Sequence, residues 1–221
     1  YDRVTSGLKI MAWGFFKKVV VADRLGVAVN TIYNNPATHN SIQFIIATIF
    51  FAFQIFCDFS GYSDIAIGIA KVMGFELMEN FKRPYFSKSI GEFWRRWHIT
   101  LGLWFRNYVY IPLGGNRKGK KRLVFNLLIV WLLTGLWHGA SWNYVLWGLV
   151  LFVLILFEKL YFKKILDRSV IIARIYMLLA IPLTWILFAI HSLKDVLIYY
   201  GRMFGIVQGI IVNNGDFIKY F

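Results

Sequence analysis

A chain of 221 residues that is 58% hydrophobic and 19% aromatic, with a mean hydropathy of +0.57, has only 16% charged residues, too few for the polar skin of a soluble domain this size. The 25 Lys and Arg against 11 Asp and Glu give a formal charge of +14. These cations fall in short clusters between apolar runs, as cytoplasmic loops do, and form no basic groove for nucleic acid.

The composition therefore predicts an integral membrane protein; its apolar runs of helical length make it all-α and polytopic, and the lack of internal repeats and low-complexity linkers makes it one domain over residues 1–221. A single cysteine, Cys57, excludes an intrachain disulfide, and the absence of CxxC and HExxH gives no support for a metal. The chain opens at YDRVTSGLKIM with neither initiator Met nor signal peptide and closes at NNGDFIKYF. That reads as a longer protein truncated at its N-terminus and open to truncation at its C-terminus.

A spanning helix needs about 20 largely apolar residues, at about 1.5 Å rise and about 30 Å of hydrocarbon. Leu8 to Val29 is long enough but carries Lys17, Lys18, Asp23 and Arg24. It is either an interfacial helix or a span whose charges snorkel or face protein. Ile42 to Cys57 is expected to be a membrane helix that stops at DFSGYSD, Asp58 to Asp64, before the chain resumes as IAIGIAKVMGF. Two readings of that stretch stand. Asp58 and Ser63 or Asp64 cap the ends of a broken helix, or Asp58, Ser60, Tyr62 and Asp64 form the polar lining of a substrate or cation path.

Next comes EFWRRWHITLGLWFRNYVYIPLGG, whose helical wheel gathers Trp94, Trp97, His98, Leu101, Phe105 and Tyr108 on one face and leaves Arg95, Arg96, Arg106 and Asn107 elsewhere. Pro112, Gly114 and Gly115 end that helix. NRKGKKR follows as a juxtamembrane basic loop, too far from a phosphate-loop pattern to be one, though able to meet an anionic cofactor such as coenzyme A. From Leu123 the chain is apolar to Trp137, breaks at HGASWN, and is apolar again from Tyr144 to Phe157, ending in the basic KLYFKKILDR. Basic flanks on one side of the membrane require an even number of crossings, so residues 123–160 form a helical hairpin or re-entrant pair. Fifteen helical residues would then carry His138 roughly 22 Å inward. A further span from Val170 to about Ile190 contains Pro182, and DVLIYYGRMFGIVQGIIV reads as a helix of uncertain depth.

Ionisable groups at membrane depth are costly and mark function or a specific partner. His138 and His98 meet that description; a core histidine bonded to a backbone carbonyl is an equal reading for His138 and the favoured one for His98 on residue chemistry alone. A neutral imidazole shielded from water can take a proton from a hydroxyl while that oxygen attacks an activated carbonyl. Trp137, Trp142 and Trp147 could wall a narrow passage beside His138, with Asn143 as a further polar lining residue, although ordinary aromatic packing uses the same residues.

QIFCDFSGYSDIAIG, NFKRPYFSKSIGEFWRRWHITL, YVYIPLGGNRKG and GLWHGASWNYVLWG, in this order and spacing, resemble the membrane-bound O-acyltransferase (MBOAT) family from about Leu8 to Lys159. The similar branch is that of the bacterial alginate O-acetyltransferase membrane subunits, with peptidoglycan and D-alanyl transfer proteins as cousins. The resemblance implies a helical protein with broken or re-entrant helices around a tunnel, in the bacterial inner membrane and crossing it several times. It maps the family's near-invariant histidine onto His138 and its second histidine onto His98. It also implies an acetyl group taken from a cytoplasmic donor, acetyl-CoA, with no cofactor held permanently, and passed to an extracytoplasmic acyltransferase partner that modifies a polysaccharide. Relatives often carry a His-Gly pair where this chain has Leu151 and Phe152, and Asp where it has Asn107.

The expected function is thus O-acetylation of an alginate-like polysaccharide, with D-alanyl or acetyl transfer to teichoic acid or peptidoglycan as the alternative. An ion-coupled transporter or channel using Asp58, Asp64 and the histidines is the reading from another class. Paired broken segments in two repeated halves would favour it, and DFSGYSD occurs once.

Overall fold

A computed structural model describes residues 1–35 and 38–206. Among them the regular structure is helical, with one isolated antiparallel bridge between Phe81 and Trp97. Three helical runs, Ser41–Met73, Trp142–Arg168 and Val170–Ala189, are long and apolar enough to cross a membrane. The all-α membrane class read from composition is what the chain adopts. Its described helices form two compact units, Tyr1–Leu77 with residues 192–206, and Met78–His191.

The first unit opens with one long helical run: α1 (Asp2–Phe15), a π-helical turn (Phe16–Ala22) and α2 (Asp23–Asn34). It lies antiparallel against α3 (Ser41–Met73) through small residues. A Cβ added to Gly14 would stand 2.6 Å from the Gly61 carbonyl oxygen, and one on Gly7 would stand 2.7 Å from that of Gly68. Backbones this close leave no room for a side chain, the usual device by which membrane helices gain packing contact. α3 starts at a capping box between Asn40 and Gln43 and ends at Gly74, whose N–H reaches back to the Lys71 carbonyl while that of Phe75 reaches Ala70.

The expected stop at DFSGYSD does not occur, and α3 runs straight through it. The reason is long-range. Lys17 Nζ lies 2.7 Å from Asp64 Oδ2 and donates to Ser60 Oγ at 3.0 Å, while Lys18 pairs with Asp58. The polar cluster that reads locally as a helix break is therefore half of an interhelical ion-pair layer, and the backbone stays helical beneath it. The same pairs show that Lys17, only 14% exposed, faces protein. The α1–α2 run is not among the three membrane-length apolar helices.

α10 (Leu193–Met203) also belongs to this unit. Its Tyr199 hydroxyl donates to the Phe44 carbonyl at 2.9 Å and meets Thr48 Oγ1 at 3.2 Å, fastening α10 to the start of α3. The expected final helix is thus realised through Met203. Its remainder from residue 207 lies outside the described residues.

The second unit carries α4 (Ile90–Arg96), α5 (Ile99–Phe105) continued by a π-helical turn (Arg106–Tyr110), α6 (Gly119–His138), α7 (Trp142–Phe157), a second π-helical turn (Glu158–Phe162), α8 (Lys163–Arg168) and α9 (Val170–Ala189). The expected hairpin is α6 and α7, turning at residues 139–141. Glycines again set the closeness: a Cβ on Gly135 would lie 2.5 Å from the Tyr144 carbonyl oxygen, and one on Gly148 would meet that of Trp131. The basic stretch is not a loop throughout, since Lys120, Lys121 and Arg122 form the first turn of α6. Pro182 lies within α9 without ending it.

Candidate functional site

The expected single helix around WRRWHITLGLW is two helices, because a short extended segment pairs with its middle. The Lys82 N–H donates to the Arg96 carbonyl at 2.9 Å and the Ile99 N–H to the Asn80 carbonyl at 3.0 Å, on either side of the Phe81–Trp97 bridge. Residues 96 and 99 thus spend their backbone groups on the strap 80–82, and the helix opens between them. His98 sits at the opening with φ +47, one of two non-glycine residues of positive φ among those described. An L-residue there bears about 1–3 kcal/mol of backbone strain, which persists only where surrounding bonds enforce it.

The start of α4 is held from another helix. Glu158, 6% exposed, accepts the Ile90 N–H at 2.6 Å and the Gly91 N–H at 3.4 Å, taking up donors that a helix N-terminus leaves free. α4 then presents Phe93 and Trp94 to the rings of α7 and α9, with Trp94 5.5 Å from Trp147 and 6.0 Å from Trp185. Trp185 Nε1 donates to the Tyr85 hydroxyl at 3.2 Å, tying α9 to the segment before α4.

His138 is the last residue of α6, half-buried in this aromatic mass. Its ring meets those of Trp137, Trp147 and Phe188 edge to face at centroid distances of 5.0, 5.1 and 5.1 Å. Trp137 also touches the His98 ring at 5.8 Å, so one indole contacts both imidazoles. Both histidines line one cavity of about 580 Å³, with Trp94, Trp131 and Thr134 in its wall and Arg95, Arg106 and Lys159 among its cations. That volume suits a small-molecule site. Two imidazoles on a largely apolar cavity wall can accept and return a proton at a bound hydroxyl.

The remaining expected lining residues are placed differently. Trp137 and Trp142 are 55% and 78% exposed, and neither lies in the cavity wall. Asn143 is fully buried and its Nδ2 donates to the Leu187 and Phe188 carbonyls at 3.5 and 3.4 Å, linking α7 to the end of α9. Asp58, Ser60, Tyr62 and Asp64 belong to α3 in the first unit, where the carboxylates and Ser60 hold the lysines and Tyr62 is 66% exposed. Sequence reasoning missed the strap residue Asn80 and the capping carboxylate of Glu158. The signal available for each was a polar residue beside an apolar helix.

The sequence pattern of the membrane-bound O-acyltransferase family matches residues 3–200, reaching past the Lys159 limit of the resemblance read by eye. A Pseudomonas putida protein named "Probable alginate O-acetylase" is 49% identical over 142 residues, covering 63% of this chain and 29% of that protein. The "Peptidoglycan O-acetyltransferase" of Helicobacter pylori is 42% identical over 142 residues, 64% of this chain and 27% of that protein. The "Teichoic acid D-alanyltransferase" of Bacillus subtilis is 35% identical over 151 residues, 63% and 37% of the two chains. The chain thus spans less than a third of the length of the alginate and peptidoglycan relatives.

Proposed function

Because the chain belongs to the membrane-bound O-acyltransferase family, we propose that it carries the reaction chamber of an O-acyltransferase that crosses the bacterial inner membrane several times. The observation that carries this reading is the pair His98 and His138 on one aromatic-walled cavity. Acetyl-CoA, the donor, reaches the chamber from the cytoplasmic side. His138 removes the proton of the acceptor hydroxyl as its oxygen attacks the thioester carbonyl, and the tetrahedral intermediate expels the thiolate, which takes up a proton. His98 is the second polar group and orients the reactants. The acetyl group passes outward to an extracytoplasmic acyltransferase partner and so to an alginate-like polysaccharide, which the names of relatives 46–49% identical support.

A second reading, transfer to peptidoglycan or D-alanyl transfer to teichoic acid, is supported by the names of the relatives at 42% and 35% identity. The transporter reading is disfavoured by the pairing of Asp58 and Asp64 with Lys18 and Lys17, which occupies the carboxylates an ion path would need.

Replacing His138 with Ala in the full-length protein abolishes acetylation of the polymer while the protein stays in the membrane fraction. Mass spectrometry of secreted glycans and of the cell wall reads the outcome and identifies the acceptor. Acetylation at the wild-type level would remove His138 from the mechanism.

A further inference from the structure

The hydrogen bonds around the strap decide which nitrogen of His98 carries a proton. Asn80 Oδ1 receives the backbone N–H of Thr100 at 3.1 Å and the Thr100 hydroxyl at 3.0 Å. A backbone N–H can only donate, so the atom it meets is the amide oxygen of Asn80 and not its nitrogen. The same oxygen lies 3.3 Å from His98 Nδ1. An oxygen that can only accept leaves the ring nitrogen one role, which is to donate. In the neutral imidazole Nε2 then holds the lone pair.

We infer that Asn80 is a positioning residue: it holds His98, on the wall of the cavity shared with His138, as the Nδ1–H tautomer, with Nε2 as its hydrogen-bond acceptor. The inference rests on the acyl-transfer reading only for its consequence, since the tautomer is a property of the resting protein.

Asn80 does this with two groups at once. Its backbone carbonyl accepts from the Ile99 N–H and its side-chain oxygen from the Thr100 N–H, so one residue satisfies two of the orphan donors at the start of α5 and fixes the ring beside them. The left-handed backbone of His98 is the joint between these bonds and the end of α4. A side chain fastened at both its backbone and its Nδ1 loses most of its freedom to turn, which is what a group aligning a hydroxyl with a carbonyl requires. An imidazole without such a partner mostly protonates Nε2, which reverses the roles of the two ring nitrogens.

The test is ¹⁵N NMR of the full-length protein, labelled at histidine and held in lipid nanodiscs at a pH where the ring is neutral. His98 is assigned by the signals that vanish in His98→Gln. The wild-type ring is expected to show a protonated Nδ1 and an unprotonated Nε2, and the opposite pattern overturns the inference whatever the activity. Asn80→Ala is expected to release the ring to the Nε2–H form. In acetyl transfer it should lower kcat at least about tenfold while KM for acetyl-CoA stays within about twofold, because a wrong tautomer removes reactivity and not binding. Asn80→Asp keeps an acceptor at the same place and is expected to keep the Nδ1–H tautomer and restore most of the lost kcat. An Ala variant that retains Nδ1–H, or an Asp variant indistinguishable from Ala, overturns the assignment. Failure of the acyl-transfer reading would show separately, as undiminished acetylation in His138→Ala with the tautomer of His98 unchanged.

Discussion

A histidine in the left-handed region is an unusual expense, and His98 bears it where the strap 80–82 meets the gap between α4 and α5. If the conformation is imposed by that pairing, the backbone strain and the ring are separable. His98→Gly removes both the ring and the strain, whereas His98→Ala removes the ring and keeps the strain. Thermal unfolding in detergent should find the Gly variant more stable than the Ala variant by about 1 kcal/mol, with acetylation impaired in both. The two histidines drew notice in the sequence because an ionisable group in an apolar, aromatic run stands out, and the family resemblance pointed to the same pair. Asn80 was not, because its meaning comes from contacts with residues 98 to 100 that pair through a bridge, and no local periodicity encodes that bridge.

Among the helices, hydropathy and the basic flanks foretold a hairpin or re-entrant pair broken at HGASWN, which is α6 and α7, and the span of α9. What failed was the reading of charge inside α3. Asp58 and Asp64 look like helix ends when weighed against their own neighbours, and become tolerable mid-helix only when Lys18 and Lys17 reach them from across forty residues or more. A double-mutant cycle tests this arrangement. Lys17→Met and Asp64→Asn should each destabilise the protein, and the double variant should recover part of the loss, giving a coupling energy between about 0.5 and 3 kcal/mol in denaturation of the solubilised protein. Additive losses would mean that Asp64 is not held by Lys17. The same logic explains the split of the WRRWHI helix, where a periodic aromatic face was legible and the pairing that interrupts it was not.

Across the molecule as a whole, the described surface is rich in large apolar side chains that no neighbouring element covers. On α9, Leu178 and Leu179 are 63% and 61% exposed. On a soluble protein such positions accept lysine with little effect. In a span facing acyl chains each lysine costs roughly 2.5–3.5 kcal/mol on insertion scales. Leu178→Lys with Leu179→Lys should therefore reduce the carbonate-resistant membrane fraction markedly, and an unchanged fraction would place α9 outside the bilayer. Composition announced the membrane class plainly, since 16% charged residues cannot cover 221 residues in water. The division into two compact units was hidden because α10, the last helix among the described residues, returns to α3 through contacts such as Tyr199 with Phe44, which are 155 residues apart.

The strap that opens the chain at His98 is joined by main-chain atoms at Lys82 with Arg96 and at Ile99 with Asn80. The joint itself therefore makes no demand on the side chain of Lys82, which is exposed, whereas Arg96 also pairs with Glu92 and Ile99 also lines the cavity. Proline is barred from 82 and 99, where an amide hydrogen must be supplied. A bend written in backbone and a tautomer written in one amide oxygen are thus two separate demands, one on main-chain donors and one on a single side chain.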